Sequence, residues 1–413
     1  MDWLWRLVTQ VVDLLITQPA AALAVVIGFG LLRPVYLAYR AMSQIGIARR
    51  AVERRPHKGV PVEGAGFWLK QPARRPDGYD AHMQSSIPVL MIGSLKGGVG
   101  KTTLAANLAA HYSARWKNPK GGRLRVLVID LDFQGSLSTM TVSATSRYTQ
   151  PSKANMLVSG ELFNGKLVQI AEPLTQPGGR DGSGLSIIPA TYDLATAENR
   201  VLVEWLFPQS ERELLDGLLR LLGRKIAPLK SQADLRYKLA ETFHDPAVQA
   251  SFDIIIIDAP PRLTTAHIQA LCASTHLLIP SILDQLSGDA IARYADQIAV
   301  HKSIAPFLEI IGVVGTVVPS NVSLRAQIGN LEARLAEARL VPHILPETCF
   351  IHQRALYRDT AGEQIAYLSE SNSQGFRDLR VEVDMLGRFV AEAFNWQARG
   401  WRPNEARVDG WLE

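Results

Sequence analysis

Apolar side chains recur at helical spacing along the first forty residues and then become continuous. Trp3, Leu4, Leu7, Val8, Val11, Leu14 and Leu15 line one face while Arg6, Gln10, Asp13 and Thr17 fill the other, which predicts an amphipathic helix. Ala20 to Leu32 is an uncharged run that resumes after Arg33-Pro34 as Val35 to Tyr39. The uncharged part falls short of the ~20 residues that cross a bilayer, and a helix from Pro19 to Tyr39 reaches that length if Arg33 snorkels to the headgroups. Residues 1–40 are therefore expected to be membrane-associated, an amphipathic helix plus a transmembrane helix, as a single pass or a hairpin. The rival reading is a helical arm used for dimerisation. Residues 41–86, with Pro56, Pro61, Pro72, Pro76 and several glycines, have no sustained period and are expected to be a linker.

From Ile87 the pattern changes to short apolar strands alternating with helical stretches. Pro88 to Gly93 predicts a buried strand, and Leu104 onward a helix, LAANLAAHYSA. Between them stands Ser94-Leu95-Lys96-Gly97-Gly98-Val99-Gly100-Lys101-Thr102-Thr103. Glycines at these places let the backbone amides of Gly97 to Thr102 curl around a phosphate at a helix N-terminus. Lys101 is placed to hold the β and γ phosphates of a nucleotide, and the Thr102 hydroxyl to ligate Mg²⁺. Leu124 to Asp130 predicts a second strand, ending in Asp130-Leu131-Asp132-Phe133-Gln134-Gly135. Phe252 to Pro261, with four consecutive isoleucines before Asp258, predicts a third, buried on both faces. A carboxylate at the end of such a strand can hold a metal-bound water or orient an attacking one.

Charge decides what kind of surface surrounds this core. The chain carries +5 overall, which by itself invites nucleic acid or an acidic membrane. Ten Lys/Arg against four acids between Arg33 and Asp80 give that stretch +6, so the remaining residues sum to −1. A basic cluster on the C-terminal side of the apolar run places everything after Arg40 at the cytoplasmic face of the inner membrane by the positive-inside rule. With 413 residues, 47% hydrophobic and 20% charged, the chain is neither a disordered polymer nor a polytopic membrane protein. Its two cysteines, Cys272 and Cys349, exclude a disulfide framework and read as buried thiols. His343, Cys349 and His352 lack a fourth ligand at metal spacing.

The string KGGVGKTT resembles the deviant Walker A signature of the ParA/MinD family of ATPases, a SIMIBI-class branch of P-loop proteins. The resemblance implies an α/β fold with a doubly wound, mostly parallel sheet of P-loop NTPase type over 87–396; the membrane-associated helices read from the apolar pattern are an addition before it, and a tail at 397–413 follows. It also implies that Lys96 crosses a dimer interface to the partner's nucleotide, that DxDxQG at Asp130 to Gly135 is switch I, and that Asp258-Ala259-Pro260-Pro261 leads into switch II. Lys96, Lys101 and Asp132 are then the catalytic set. Gly97, Gly98, Val99, Gly100, Lys101, Thr102 and Thr103 bind ATP, and Thr102, Asp258 and Asp130 flank Mg²⁺. Pro319, Pro346 and Glu347 sit where relatives place their adenine loops. The implied activity is ATP hydrolysis by a switch that dimerises on ATP binding and partitions or positions DNA or a protein complex with a stimulating partner protein.

Three features lie outside that pattern. Residues 199–251 are longer than the core needs, and Leu214 to Leu222 and Leu235 to Phe243 predict helices of an insertion. Arg377, Arg380 and Arg388 could meet DNA phosphates non-specifically, but Asp378, Glu382 and Asp384 interleave with them. A membrane-linked tyrosine autokinase would also follow membrane helices with a variant P-loop. Its expected C-terminal tyrosine cluster is missing, the last tyrosine being Tyr367.

Overall fold

A computed structural model describes residues 65–69, 73–141, 153–162, 164–174, 184–206, 234–319, 324–336, 338, 340–353, 365–369 and 373–403, with Arg6, Thr9, Tyr36 and Tyr39. The chain divides into two compact units, Met1–Arg55 with Leu206–Leu229, and Pro56–Trp205 with Lys230–Glu413. In the first unit Arg6, Thr9, Tyr36 and Tyr39 are helical and exposed. The second unit carries the sheet and all the predicted site residues.

Its strands are β1 Val89–Ile92, β2 Trp116–Lys117, β3 Val126–Asp130, β4 Glu172–Pro173, β5 Leu185–Ile188, β6 Ile254–Asp258, β7 His276–Ser281, β8 Glu309–Val318, β9 Ile351–His352 and β10 Arg402–Pro403. Among the described residues the main sheet runs β4-β5-β3-β6-β1-β7-β8-β9, parallel except at its β4–β5 edge. The four isoleucines of β6 explain its central place. A parallel strand covered on both faces wants an unbroken β-branched run, and β6 is buried at every position. From β1 the chain first builds the β3–β5 side and later returns to build β7, β8 and β9. Strand order thus reverses at β1, and the crevice beyond the carboxyl ends of the strands there is the natural ligand site of an open α/β sheet.

The helices that frame this crevice or tie onto it are α1 Ala65–Trp68, α2 Tyr79–Ser85, α3 Lys101–Arg115, α4 Ser136–Thr141, α5 Leu194–Leu206, α6 Thr265–Ala273, α7 Gln285–His301 and α8 Gln374–Ala393. Helix α3 is buried along nearly its whole length because small alanines let it lie close to the sheet. Its far end is locked to α8. The His111 Nδ1–H donates to Asp384 at 2.7 Å, the Trp116 indole N–H donates to His111 Nε2 at 3.1 Å, and the Tyr112 hydroxyl donates to the Gly387 carbonyl at 3.0 Å. Residues past α8 fold back, with Trp396 packed on Tyr112 and Trp116 and β10 paired antiparallel to β2.

The expected transmembrane helix, and with it a location at the cytoplasmic membrane face, is corrected here. Among the described residues no helix is long and apolar enough to cross a membrane. The uncharged run stops at Leu32, short of a bilayer span, and the longer helix needed Arg33 to snorkel. Apart from the four residues named above, 1–40 lies outside the described residues, as do the Leu214 to Leu222 helix and the linker before residue 65. Leu235 to Phe243 is helical as predicted, a 3₁₀ turn Leu235–Tyr237 leading into Lys238–Phe243.

Candidate functional site

Strand β1 ends at Ile92, β3 at Asp130 and β6 at Asp258, and these three residues are register neighbours across the sheet. The glycine loop after β1 therefore faces two carboxylates at one level. Gly98 and Gly100 adopt φ of 72° and 78°, a region open to glycine at little cost, and Gly100 hands the chain to α3. A Cβ added at Gly97 or Gly98 would meet nothing within 4 Å, so the space beside both glycines is open. Its back is supported by the Thr316 hydroxyl of β8, which donates to the Val99 carbonyl at 2.8 Å.

Lys101 lies buried in this loop with Nζ donating to the Lys96 carbonyl at 3.1 Å. Burial pushes its pKa below the usual lysine range, against the opposing pull of Asp258 and Asp132. Asp258 is 1% exposed. The Thr102 hydroxyl is close enough to favour its charged form, yet neither carboxylate oxygen has a partner of ordinary hydrogen-bond geometry. Burial first, and Asp130 second, hold its pKa well above the normal carboxylate range. An acceptor pair orphaned in a core is costly unless something positive completes it. Two hard oxygens beside a threonine hydroxyl and an open amide loop are the donor set a divalent cation coordinated by phosphate would use, so the residues fit Mg²⁺ and a nucleotide.

Asp130 stands level with Asp258 in the sheet, and both of its own oxygens are engaged. Its Oδ1 accepts from the Asp132 amide at 3.0 Å, and its Oδ2 accepts from the Ser138 amide at 2.9 Å and the Ser138 hydroxyl at 2.7 Å. Burial pushes its pKa up to about 6 against those hydrogen bonds. It therefore shapes the loop that carries Asp132. Asp132 is half-buried and accepts from the Gln134 amide at 3.0 Å. Gly135, at φ 62°, lies where a Cβ would approach the Ala190 carbonyl to 3.1 Å, which explains glycine at the end of the DxDxQG string.

Lys96 is held within its own chain. Its Nζ donates to Asp284 Oδ2 at 3.1 Å and to the Ser287 hydroxyl at 2.7 Å, at the N-terminus of α7. Asp284 was not singled out from the sequence, although its position directly before a helix, where it accepts from the Ser287 amide at 2.6 Å, is a legible N-cap signal. Burial alone would raise the Asp284 carboxyl, but the Ser287 hydroxyl and amide and then Lys96 bring it below the usual range.

The loop after β6 is gripped by residues the sequence did not reveal as functional. His267 Nδ1–H donates to the Pro260 carbonyl at 2.9 Å, and its Nε2 accepts from the Tyr294 hydroxyl at 3.1 Å. Burial lowers the His267 pKa to about 4, so the ring is neutral and keeps one donor and one acceptor. Tyr294 in turn stands over Gly93, where a Cβ would come within 2.5 Å of its hydroxyl. Glu198 of α5 accepts from the Ala266 amide at 2.7 Å at the head of α6.

Pro319 is exposed at the end of β8, just past Val317 at φ 55°, and Pro346 and Glu347 lie on an exposed turn before β9. Thr103 sits in the first turn of α3, its carbonyl accepting from the Asn107 side chain at 2.7 Å. Of the arginines weighed for DNA, Arg380 is buried and donates to the Ser369 carbonyl, while Arg377 and Arg388 are exposed. Tyr367 is buried against Asp384 and Arg115.

Several known proteins are similar to this chain. An uncharacterized protein of Pseudomonas putida is 28% identical over 319 residues, covering 76% of this chain and 97% of its own length. The chromosome partitioning protein ParA of Caulobacter vibrioides is 28% identical over 242 residues, 58% of this chain and 73% of that one. A Cyanothece McdA variant solved in complex with ATP superposes with a TM-score of 0.51 at 20% identity, over 75% of this chain and 97% of that one, a likeness of fold. The family described as AAA domain matches residues 87–310, more than half of the sequence. With the glycine loop, the paired strand-end carboxylates and this match together, the chain belongs to the AAA domain family.

Proposed function

We propose that the protein is a Mg·ATP-dependent switch that dimerises on ATP, hydrolyses it slowly, and serves the partitioning or positioning of a cargo, DNA or a protein complex. The observation that carries this reading is Asp258, a buried carboxylate with no partner of its own, set between the glycine loop and the switch I strand. In the proposed site Thr102 and Asp258 would hold Mg²⁺, which would supply positive charge against the phosphates. The amides of Gly97 to Thr103 cradle the phosphates and Lys101 pairs with the β and γ oxygens. Asp130 fixes switch I through Ser138, and the half-buried Asp132 orients the attacking water. Lys96 leaves Asp284 to reach the partner's nucleotide, so dimerisation exchanges one carboxylate for a phosphate. Pro319, Pro346 and Glu347 border the adenine.

The ParA relative, whose name states chromosome partitioning, supports the cargo class. A stimulating partner protein and weak non-specific DNA contact through Arg377 and Arg388 complete the proposal. The test is nucleotide binding and turnover by the full chain beside Lys101→Ala. Loss of Mg·ATP binding or hydrolysis in the variant is expected, and undiminished ATPase activity refutes the assignment.

A further inference from the structure

The segment just before the nucleotide domain is fastened to switch II itself. In α1 the indole N–H of Trp68 donates to the Leu263 carbonyl at 3.3 Å, within the loop that follows Asp258. Trp68 is 4% exposed and stacks on Trp205 of α5, with ring centroids 5.8 Å apart and planes at 29°. Its own carbonyl accepts from Arg236 Nη1 at 2.6 Å. Arg236 is fully buried, forked onto Asp234 and positioned over the Trp205 ring at 5.4 Å. Asp234 accepts in addition from the Arg74 amide at 3.2 Å. Further along, the Tyr79 hydroxyl donates to the Cys272 carbonyl of α6 at 2.6 Å. The described residues 65–69 and 73–80 thus meet the domain at polar anchors on Arg236, Asp234 and Cys272, and one further bond touches the switch.

We propose that this segment is a strap that reads the nucleotide state: docked on switch II through Trp68, and released at that point when the loop closes on a γ-phosphate. The inference rests on the nucleotide reading above. Three side chains grip the loop and the head of α6, and their lengths rank them. Glu198 holds the Ala266 amide at 2.7 Å, His267 holds the Pro260 carbonyl at 2.9 Å, and Trp68 holds the Leu263 carbonyl at 3.3 Å. The Trp68 bond is the longest and therefore the weakest, so a loop drawn toward a phosphate yields there first. The anchors at Arg236 and Asp234 are independent of the loop, and they keep the strap close enough to redock. Because linkage is reciprocal, a bond that must break for ATP to be gripped also opposes ATP binding by its own net strength. Whatever precedes residue 65 is thereby informed of the nucleotide, and can bias it in return.

Two measurements on the full chain test this. Hydrogen–deuterium exchange is followed over residues 65–80 with Mg²⁺ alone, with Mg·ADP and with Mg·AMPPNP, while a thermal melt reports nucleotide binding in each sample. Faster exchange around Trp68 with AMPPNP only is the expected result. A melting shift with both nucleotides but identical exchange over 65–80 overturns the strap and leaves the nucleotide site intact. No melting shift with either nucleotide refutes the nucleotide reading itself, and the strap with it. The second measurement uses Trp68→Phe, which keeps an aromatic ring against Trp205 while removing the indole donor together with part of the ring; a melt without nucleotide reports the packing lost, and the comparison is made between ATP and ADP affinities of the same variant. Its ATP affinity should rise by about 2- to 10-fold with ADP affinity unchanged. Equal affinities for ATP in the variant and the native chain overturn the proposal.

Discussion

Replacing Asp258 by Asn should make the nucleotide-free protein more stable while removing its response to Mg·ATP. Asp258 is 1% exposed and both its oxygens are unpaired, and a buried polar group left in that condition costs about 1–3 kcal/mol, more when it is charged. Asn has the same shape and remains polar, so only the charged part is relieved, a gain near the lower end, ~1 kcal/mol. At roughly 2–4 °C per kcal/mol for a large domain, the melting temperature rises by a few degrees. The pH dependence fixes the sign. Burial, and then Asp130, raise the Asp258 pKa, so the folded protein binds this proton more tightly than the unfolded chain. Stability contributed by the group is therefore lost as pH climbs from the ordinary carboxylate range through the raised value, and is regained on acidification. The advantage of Asp258→Asn should be largest near pH 8 and shrink toward pH 5. Melting curves of both proteins at the two pH values, with and without Mg·ATP, decide it. The native chain should gain about 2.7 kcal/mol at a ligand concentration 100 times Kd, and the variant far less. A variant that melts below the native chain at pH 8 without nucleotide would show that the carboxylate has a structural partner, and the reasoning would fail.

Other outcomes follow from the same geometry. Asp284→Asn keeps the α7 cap and discharges the partner of Lys96; since that pair is partly exposed, at 29% and 46%, the effect is small, ~1 kcal/mol or less, read as ATP-dependent dimerisation at up to about 5-fold lower protein concentration by light scattering. Unchanged dimerisation would show that Asp284 does not compete for Lys96. Gly387→Ala drives a methyl to within 2.4 Å of the His111 ring between α3 and α8, and should lower stability by about 1–3 kcal/mol in a denaturant titration, with wild-type stability counting against the packing described. Burial lowers the pKa of His244, His267 and His301 to about 4 each, so the unfolded chain takes up their protons first as pH falls from 6.5 toward 4, and their stability contribution is lost over that window. His244→Gln should flatten the fall of melting temperature between pH 6.5 and 4.5, and an unaltered slope would show that His244 is already protonated in the fold.

The parts of this molecule that were legible in the sequence are those whose signals are local. A glycine loop between a buried strand and a helix, an acid ending a four-isoleucine strand, and a DxDxQG turn each declare their geometry within about ten residues. They placed Gly97 to Thr103, Asp130, Asp132 and Asp258 at one end of one sheet. Even there, the division of labour between two strand-end acids was not legible. Asp130 and Asp258 occupy equivalent register positions, and it is the Asp132 amide and the Ser138 hydroxyl and amide, reaching back from α4, that separate a loop-shaping carboxylate from an unpartnered one. The membrane reading rested on an uncharged run shorter than a bilayer span.

The missed residues share a different property, which is that their partners lie far away along the chain. Lys96 and Asp284 are 188 residues apart, and Trp68 and Leu263 are 195 apart. No periodicity or spacing encodes such pairs; they exist because the parallel sheet brings the loops after β1, β6 and β7 to the same edge. That also explains why the segment before the domain read as a linker. Its prolines and glycines deny it a period of its own, and its order comes from Arg236 and Asp234, charges that look like an ordinary surface pair in sequence and are buried in the fold. A buried pair of this kind is a weak source of net stability, because the desolvation of both ions offsets their attraction. Its retention here is better explained by position. It offers one donor to the Trp68 carbonyl and one acceptor to the Arg74 amide, holding the strap in register with switch II without touching the nucleotide site.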